Sequence, residues 1–374
     1  MKQSLLALAI LGAFSSATMA QSVTVYGDID TAMRSTTNAG ANGGRKISLG
    51  SGIFENSLIG FKGVEDLGDG RVALFDLEAG FNPSSGSQSN DGAQSNQNQL
   101  FGNQAWVGLR DSALGEIDAG RQYGLAYQTM GHYSPLGRGV ARAQGNASEI
   151  AWQTGLYGVR FDNSLEYTNN FGPVKTQLQY STGGVAGATS VGSTEAFAAV
   201  FEQGPLSVGG VVQQSKDANS HDLTVWGLGG SYAVGPATMY LSYFDAKRDP
   251  GFDAAANLSG GPLANTDLIG NRNNMLKRDD DVWSTGVVFQ ASPAMAYTAG
   301  YMHDNVKNDS DSGNNGRVST FYAVADYNLS KRTDVYAEID HSTVGGGEVA
   351  SNDVLSMAGG TSRTGLAAGL RIKF

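Results

Sequence analysis

Apolar and polar residues alternate along short segments of this chain, most regularly at its C-terminal end. The apolar positions of segment 364–374 are Leu366, Ala368, Leu370, Ile372 and Phe374. The positions between them include Arg371 and Lys373. Successive side chains of a β-strand point to opposite faces, so these two sets occupy different sides of one strand. A strand with one apolar and one charged face is typical of a wall between lipid and water.

The same alternation recurs in other segments. Within 70–82, Ala73, Phe75 and Leu77 alternate with Asp76 and Glu78. Segments 22–34, 237–246 and 332–341 show a comparable pattern, and in each the polar set is predicted to face inward. Segments 206–216 and 222–233 alternate poorly, so the pattern leaves their faces unassigned.

Turn-forming residues divide the chain into many short strands. Seven short turns rich in Gly, Pro, Asn and Asp alternate with eight longer polar loops, the first of them predicted at 35–51. This rhythm predicts about sixteen antiparallel strands, an even number as in bacterial single-chain barrels. The second of these strands is predicted at 52–63.

The predicted fold class is all-β, a transmembrane antiparallel β-barrel with short periplasmic turns and long extracellular loops. Lipid offers no hydrogen-bond partner to an open sheet edge, so the first and last strands must pair. About sixteen strands enclose a water-filled channel, whereas about eight would be filled by side chains. The alternative is a soluble two-layer sandwich, which would not carry Asp and Glu in series on its inner faces.

Met1 to Ala20 has the pattern of a secretory signal peptide. Lys2 supplies the positive start, Leu5 to Phe14 form the apolar stretch, and Ala20 ends a small-residue cleavage pattern. The apolar stretch is too short for a transmembrane helix. The predicted organisation is therefore a signal peptide at 1–20 and a single barrel domain at 21–374.

Composition narrows the partners and the chemistry. The formal net charge of −10 argues against nucleic acid as a partner. The chain has no cysteine, so an exported form would be held together without disulfides. No cofactor is expected, because the glycine-rich pieces do not follow a strand and open a helix as phosphate-binding loops do.

Enzymatic and metal-binding readings have little support in the sequence. The four histidines are His132, His221, His303 and His341. None lies in a recognisable nucleophile motif, and their spacing does not suit a metal site. The acidic residues Asp304, Asp309 and Asp311 do not match the twelve-residue calcium loop. The run from Asp279 to Asp281 is interpreted as a loop end at the membrane boundary, with surface binding of divalent ions as the alternative.

Several segments resemble the general porins of beta-proteobacteria, which are trimeric and sixteen-stranded. The segments that carry the resemblance are Val23–Gly27, Gly60–Gly68, Leu77–Phe81, Leu100–Leu109, Gly120–Tyr123, Arg160–Ser164 and the terminal Phe374. The resemblance implies a homotrimer in the Gram-negative outer membrane, in contact with membrane lipid and lipopolysaccharide. It also implies passive diffusion of small hydrophilic solutes and a third loop, about Tyr123 to Glu149, folded into the lumen.

The sequence departs from this family at positions that matter for ion preference. Relatives usually place arginines on the wall that faces the third loop, but the corresponding positions here are Leu58, Asn103 and a residue near Gln153. The inward acid of the third strand remains as Glu78. Arg138 and Arg142 lie instead on the loop, which is commonly acidic in relatives. The transverse field expected in the family is therefore weakened, or partly reversed.

Charges at a narrow aqueous opening act strongly because the walls have a low dielectric constant. The candidate constriction residues are Arg138 and Arg142 on the loop, with Asp28, Asp30, Lys62, Asp76, Glu78, Arg160 and Asp162 on the wall. Assignable inward positions carry more acids than bases, which predicts a weak cation preference. The leading functional hypothesis is a diffusion porin. The alternatives are a substrate-selective channel of the same fold and a barrel that acts as an adhesin or an enzyme.

Overall fold

The computed structural model describes residues 22–39, 43–51, 54–88, 99–137, 156–253, 263, 276–308, 313–347 and 360–374. Helix α1 spans Leu125–His132 and lies between β6 and β7. The strands are β1 Ser22–Thr36, β2 Lys46–Ser51, β3 Leu58–Gly68, β4 Arg71–Gly80, β5 Gln104–Asp111, β6 Gly115–Tyr123, β7 Arg160–Phe171, β8 Val174–Ser181, β9 Thr194–Gln203, β10 Leu206–Lys216, β11 Asp222–Val234, β12 Ala237–Arg248, β13 Arg278–Ser292, β14 Met295–Lys307, β15 Gly316–Asn328, β16 Thr333–Gly346 and β17 Ser362–Lys373.

These strands form one closed antiparallel sheet. From β3 to β17 each strand pairs with its neighbours in chain order, and β1 closes the barrel by pairing with β17 from Asp28↔Lys373 to Thr36↔Gly365. β2 pairs with the C-terminal half of β1 and β3 pairs with its N-terminal half, so the two share one place in the wall. The described strands thus make the sixteen-strand barrel that was predicted, with one extra strand that was not.

The first predicted loop and the second predicted strand were placed wrongly. Residues 46–51 of the predicted loop 35–51 form β2, and β3 begins at Leu58 rather than at residue 52. The wall strand is interrupted because the carboxylate of Asp30 accepts the backbone amides of Phe54 and Glu55, at 2.7 and 2.6 Å. Those amides are therefore unavailable to a strand ladder.

The outer surface is apolar and the inner surface is polar, as the alternation predicts. On β17, Leu366 and Leu370 are exposed on the outside, whereas Arg371 is buried on the inside. Aromatic side chains pair on the outer surface near the long-loop end, where the ring centroids of Trp283 and Tyr301 lie 5.3 Å apart. Such outward aromatic residues are typical of the interfacial girdle of a membrane barrel. Among the described residues, no helix has the length and apolarity that a bilayer crossing requires.

The two strands whose faces the sequence left unassigned line the part of the wall that α1 covers. Most of their inward positions are small or apolar, among them Gly209, Val211, Val225, Gly227 and Gly229. The helix and the segment that follows it pack on β9, β10 and β11. The alternation fails here because an inward side chain meets protein instead of water.

Candidate functional site

Glu78 on β4 is the centre of a hydrogen-bonded group inside the lumen. Its Oε2 accepts the hydroxyl of Tyr26 on β1 at 3.1 Å, and its Oε1 accepts the hydroxyl of Tyr123 at 3.0 Å. The residue is 6% exposed. Gly60, which pairs with Glu78 across β3 and β4, leaves room for the Tyr26 ring, since a Cβ there would lie 2.7 Å from the Tyr26 hydroxyl oxygen. Because Tyr123 ends β6 just before α1, Glu78 connects the wall to the base of the third loop.

Two further predicted residues, Asp76 and Lys62, belong to the same group. Asp76 accepts the Tyr26 hydroxyl at 2.7 Å. Lys62 lies opposite Asp76 in the β3–β4 register, and its Nζ lies 5.0 Å from the centroid of the Tyr26 ring. A cation over an aromatic face is attracted by the negative face of the ring. The structure therefore brings together Lys62, Asp76 and Glu78 around one tyrosine.

Arg160 joins this group from the far side of the loop base. Its guanidinium carbon lies 5.0 Å from the centroid of Tyr123, and Tyr123 also stacks on Tyr127 of α1 with centroids 5.1 Å apart. Arg160 is 1% exposed, so its charge lies against the aromatic pair rather than in open water. Tyr123, at the start of the third loop, is thus held between the carboxylate of Glu78 and the guanidinium group of Arg160.

Asp30 and Asp28 occupy another part of the wall. Besides the two amides of the β2–β3 interruption, Asp30 accepts the hydroxyl of Tyr336 at 2.5 Å. Its oxygens are therefore used within the wall, which gives Asp30 a structural role in joining β1, the segment before β3, and β16. Asp28 is buried opposite Lys373 in the β1–β17 register.

Asp162 contacts a residue that the sequence analysis did not select. Its Oδ1 accepts Nη1 of Arg121 at 2.7 Å, and Arg121 also donates its Nε to the carbonyl of Gly102 at 2.6 Å. The two residues lie beside the irregularity in the β6–β7 register after Gly120. This ion pair connects β6 with the first residues of β7. The remaining loop candidates, Arg138 and Arg142, fall outside the described residues.

Arg34 and Arg371 are among the buried arginines that were not candidates, although their positions in the alternation point inward. Arg34 on β1 lies 2.5 Å from an oxygen of Asp340 and 3.8 Å from an oxygen of Glu338. Arg371 on β17 lies 3.1 Å from Asp334, 3.6 Å from Glu55 and 3.7 Å from Asp326. Both cations are surrounded by several carboxylates, so the lumen wall between β15 and β1 carries no excess of positive charge.

Carboxylates outnumber basic groups among the buried charged residues. In the described part of the chain, twelve buried residues are Asp or Glu and seven are Arg. Glu78 differs from most of them because its described partners are phenols rather than guanidinium groups. A carboxylate whose partners are neutral keeps its electrostatic field in the lumen. A carboxylate that is paired with a cation largely loses that field.

The three acids Asp245, Asp279 and Asp281 come together at the long-loop ends of β12 and β13, with ligand oxygens within 4.8 Å of one another. Lys247 contacts Asp245 at 2.7 Å, and Lys307 contacts Asp281 at 3.2 Å. These ion pairs fit the interpretation of a strand boundary. Asp304, considered above as part of an acidic loop, lies buried within β14.

The third-loop segment is fitted to its wall by glycines. A Cβ on Gly227 would lie 2.6 Å from Sδ of Met130, and a Cβ on Gly209 would lie 2.7 Å from the hydroxyl of Tyr133. Tyr133 and Ser207 hydroxyls are hydrogen-bonded at 3.1 Å, and burial raises the pKa of the Tyr133 phenol. The neutral phenol thus remains available as a partner of the wall.

Comparison with known proteins places these features in a family. The model of the family described as Gram-negative porin matches residues 7–347. An outer membrane porin protein of Bordetella pertussis is 29% identical over 373 residues, covering 90% of this chain and 93% of the relative.

Solved structures agree on the fold. The anion-selective porin from Comamonas acidovorans superposes with a TM-score of 0.70 at 21% identity, covering 95% of this chain and 100% of that one. A trimer form of OmpT, an outer membrane protein of Vibrio cholerae, gives a TM-score of 0.65 at 15% identity, with 95% and 100% coverage.

Proposed function

This chain belongs to the Gram-negative porin family and forms an outer-membrane channel, and from that premise we propose that it is a trimeric diffusion porin with a weak cation preference. Small hydrophilic solutes and ions move through its lumen down their concentration gradients. The single observation that supports the cation preference is the surplus of buried carboxylates, with Glu78 held by two tyrosines at the base of the third loop.

The proposed constriction consists of the Glu78 group together with the third loop. Lys62, Asp76 and Arg160 lie within that group, and Arg138 and Arg142 are proposed to face it from the loop. Asp28, Asp30 and Asp162 contribute to the field of the wall from outside the group. Since low-dielectric walls strengthen charges in a narrow passage, small differences in this balance set the ion preference.

Assembly and targeting complete the proposal. Porin homologues form trimers, and we extend that state to this chain. Residues 1–20 act as the signal peptide and 21–374 as the barrel. The short turns face the periplasm, and the long loops meet the lipopolysaccharide leaflet. The family consists of channels rather than enzymes, so we assign no catalytic activity to the lumen.

Planar-bilayer recording of the purified protein tests this function. We expect ohmic current steps that appear and close in groups of three. Folded protein that gives no current steps would refute the channel function. Single steps that do not appear in groups of three would refute the trimeric state. Hydrolytic or cell-binding activity in the absence of conductance would favour the enzyme or adhesin alternative.

A further inference from the structure

A chamber opens off the lumen on the short-turn side of α1. It has a volume of about 420 Å³, and its lining includes Glu78, Asn103, Trp106, Asp118, Gln128 and Glu166. Two of its walls, β5–β6 and β7–β8, end at the short turns next to it. A volume of this size lies within the usual range of small-molecule sites, about 300–1,000 Å³.

The chamber is strongly acidic. Its lining carries the carboxylates of Glu55, Glu78, Glu116, Asp118 and Glu166 and one amino group, that of Lys175. Asp118 and Glu166 lie directly opposite each other in the β6–β7 register. Like charges at directly opposed positions of an antiparallel pair destabilise the sheet, so a cation between them would relieve that cost.

Glu166 is oriented as an acceptor by neutral donors. Its oxygens accept amide groups from Gln177 at 2.7 Å, Gln179 at 3.0 Å and Gln128 of α1 at 3.1 Å. Together with a longer bond from the Thr168 hydroxyl at 3.4 Å, these three bonds fix the carboxylate in place without neutralising it. The arrangement therefore presents a fixed negative charge at the boundary between the wall and the third loop.

Asn103 gives an independent sign of a ligand. It is 1% exposed and lines the chamber, yet neither its Oδ1 nor its Nδ2 has a hydrogen-bond partner among the described residues. A buried amide without partners is costly, which favours a solute that both donates and accepts hydrogen bonds. Trp106 adds an aromatic surface to the lining, and its Nε1–H already donates a hydrogen bond to Oε1 of Gln104 at 3.2 Å.

We propose that this chamber is a binding subsite for small hydroxylated ammonium compounds such as amino sugars. The ammonium group is held between Asp118 and Glu166, a hydroxyl group satisfies Asn103, and the ring packs on Trp106. The inference rests on the proposed channel function, since the chamber is filled from the lumen.

The test is the current through single channels in the presence of protonated glucosamine, with glucose as the neutral probe of the same ring. We expect glucosamine to interrupt the current at lower concentration than glucose, and more readily when added on the short-turn side. Glu166→Gln and Asp118→Asn each weaken this block by about tenfold, the loss expected for one charge-assisted hydrogen bond. Glu195→Gln is the matched control, because Glu195 is exposed on β9 and lies outside this chamber.

The outcomes separate the two levels of the proposal. Ohmic steps without any preference for glucosamine over glucose would overturn the subsite and leave the channel intact, whereas absence of steps would refute the channel itself. Equal block in the Glu195→Gln and Glu166→Gln proteins would also overturn the subsite. A glucosamine-dependent change in tryptophan fluorescence that disappears in Trp106→Phe gives a second readout in detergent solution, and its absence would contradict the assigned position of the ring.

Discussion

Gly229 on β11 is the position where a single methyl group should displace the third loop. Its inward face touches the Tyr133 side chain, and a Cβ at this position would lie 2.6 Å from Cβ of Tyr133 and closer still to the ring. Carbon atoms in favourable contact lie about 3.5–4.0 Å apart. Gly229→Ala therefore requires Tyr133 to move by about 1 Å, and β11 prevents movement outward.

The expected cost follows from this overlap. Overpacking by an added methyl group destabilises a well-packed site by about 1–3 kcal/mol. The hydrogen bond of 3.1 Å between Tyr133 and Ser207 would also be strained, because the phenol moves away from β10. We expect the third loop to shift toward the pore axis and the single-channel conductance of Gly229→Ala to fall below that of the unmodified protein.

Gly230→Ala provides a matched control one residue further along the same strand. A Cβ on Gly230 would lie 3.3 Å from the carbonyl oxygen of Ser207 and 3.6 Å from Cγ2 of Val208, so only a small adjustment is needed. Conductance in bilayers and the temperature of heat dissociation should be measured for both variants. Identical conductance in Gly229→Ala and Gly230→Ala would show that Tyr133 does not hold the third loop against β11.

Other contacts give further expected outcomes. Glu78→Gln should lower the cation preference, measured as a reversal potential, more than Asp340→Asn does, because Asp340 is already paired with Arg34 at 2.5 Å; equal shifts would place Glu78 away from the narrow passage. Asp340→Asn should instead lower the free energy of unfolding by about 3–5 kcal/mol, since it leaves a buried guanidinium poorly compensated, and an unchanged urea midpoint would contradict this. Tyr123→Phe should lower stability by about 1 kcal/mol and increase open-channel noise, because Glu78 loses one of its two donors, and quiet currents would contradict the role of Tyr123 as the anchor of the loop base.

The barrel and most strand faces follow from the sequence because they depend on local regularities. Alternation identifies the inward faces of β4, β12 and β16, and turn residues mark the seven short connections. The same alternation places Arg34 and Arg371 on the inward faces of β1 and β17. Alternation shows that a side chain faces the lumen but not which inward charges lie together, so it does not single out these two arginines.

The interruption between β2 and β3 could not be predicted from local pattern. It depends on Asp30, which reaches residues 54 and 55, and on Tyr336, which is distant in the sequence. Likewise, the largely apolar inward face of β10 and β11 is explained by the packing of α1 on it, which the local sequence pattern does not show. Contacts between distant segments override the period of two at these places.

The chamber under α1 illustrates the same limit for function. Asp118, Glu166 and Asn103 belong to different strands or loops, and none stands in a motif. Their grouping results from the barrel register and from the position of the third loop. Sequence reasoning indicated an acidic lumen but had no means of locating the pocket.

The reversal potential of the reconstituted channel under a potassium chloride gradient tests most directly whether acidic groups govern the lumen. We predict a potential of the sign that corresponds to a modest excess of potassium over chloride permeability. A potential of the opposite sign, showing that chloride is the more permeant ion, would contradict this account of the lumen charges.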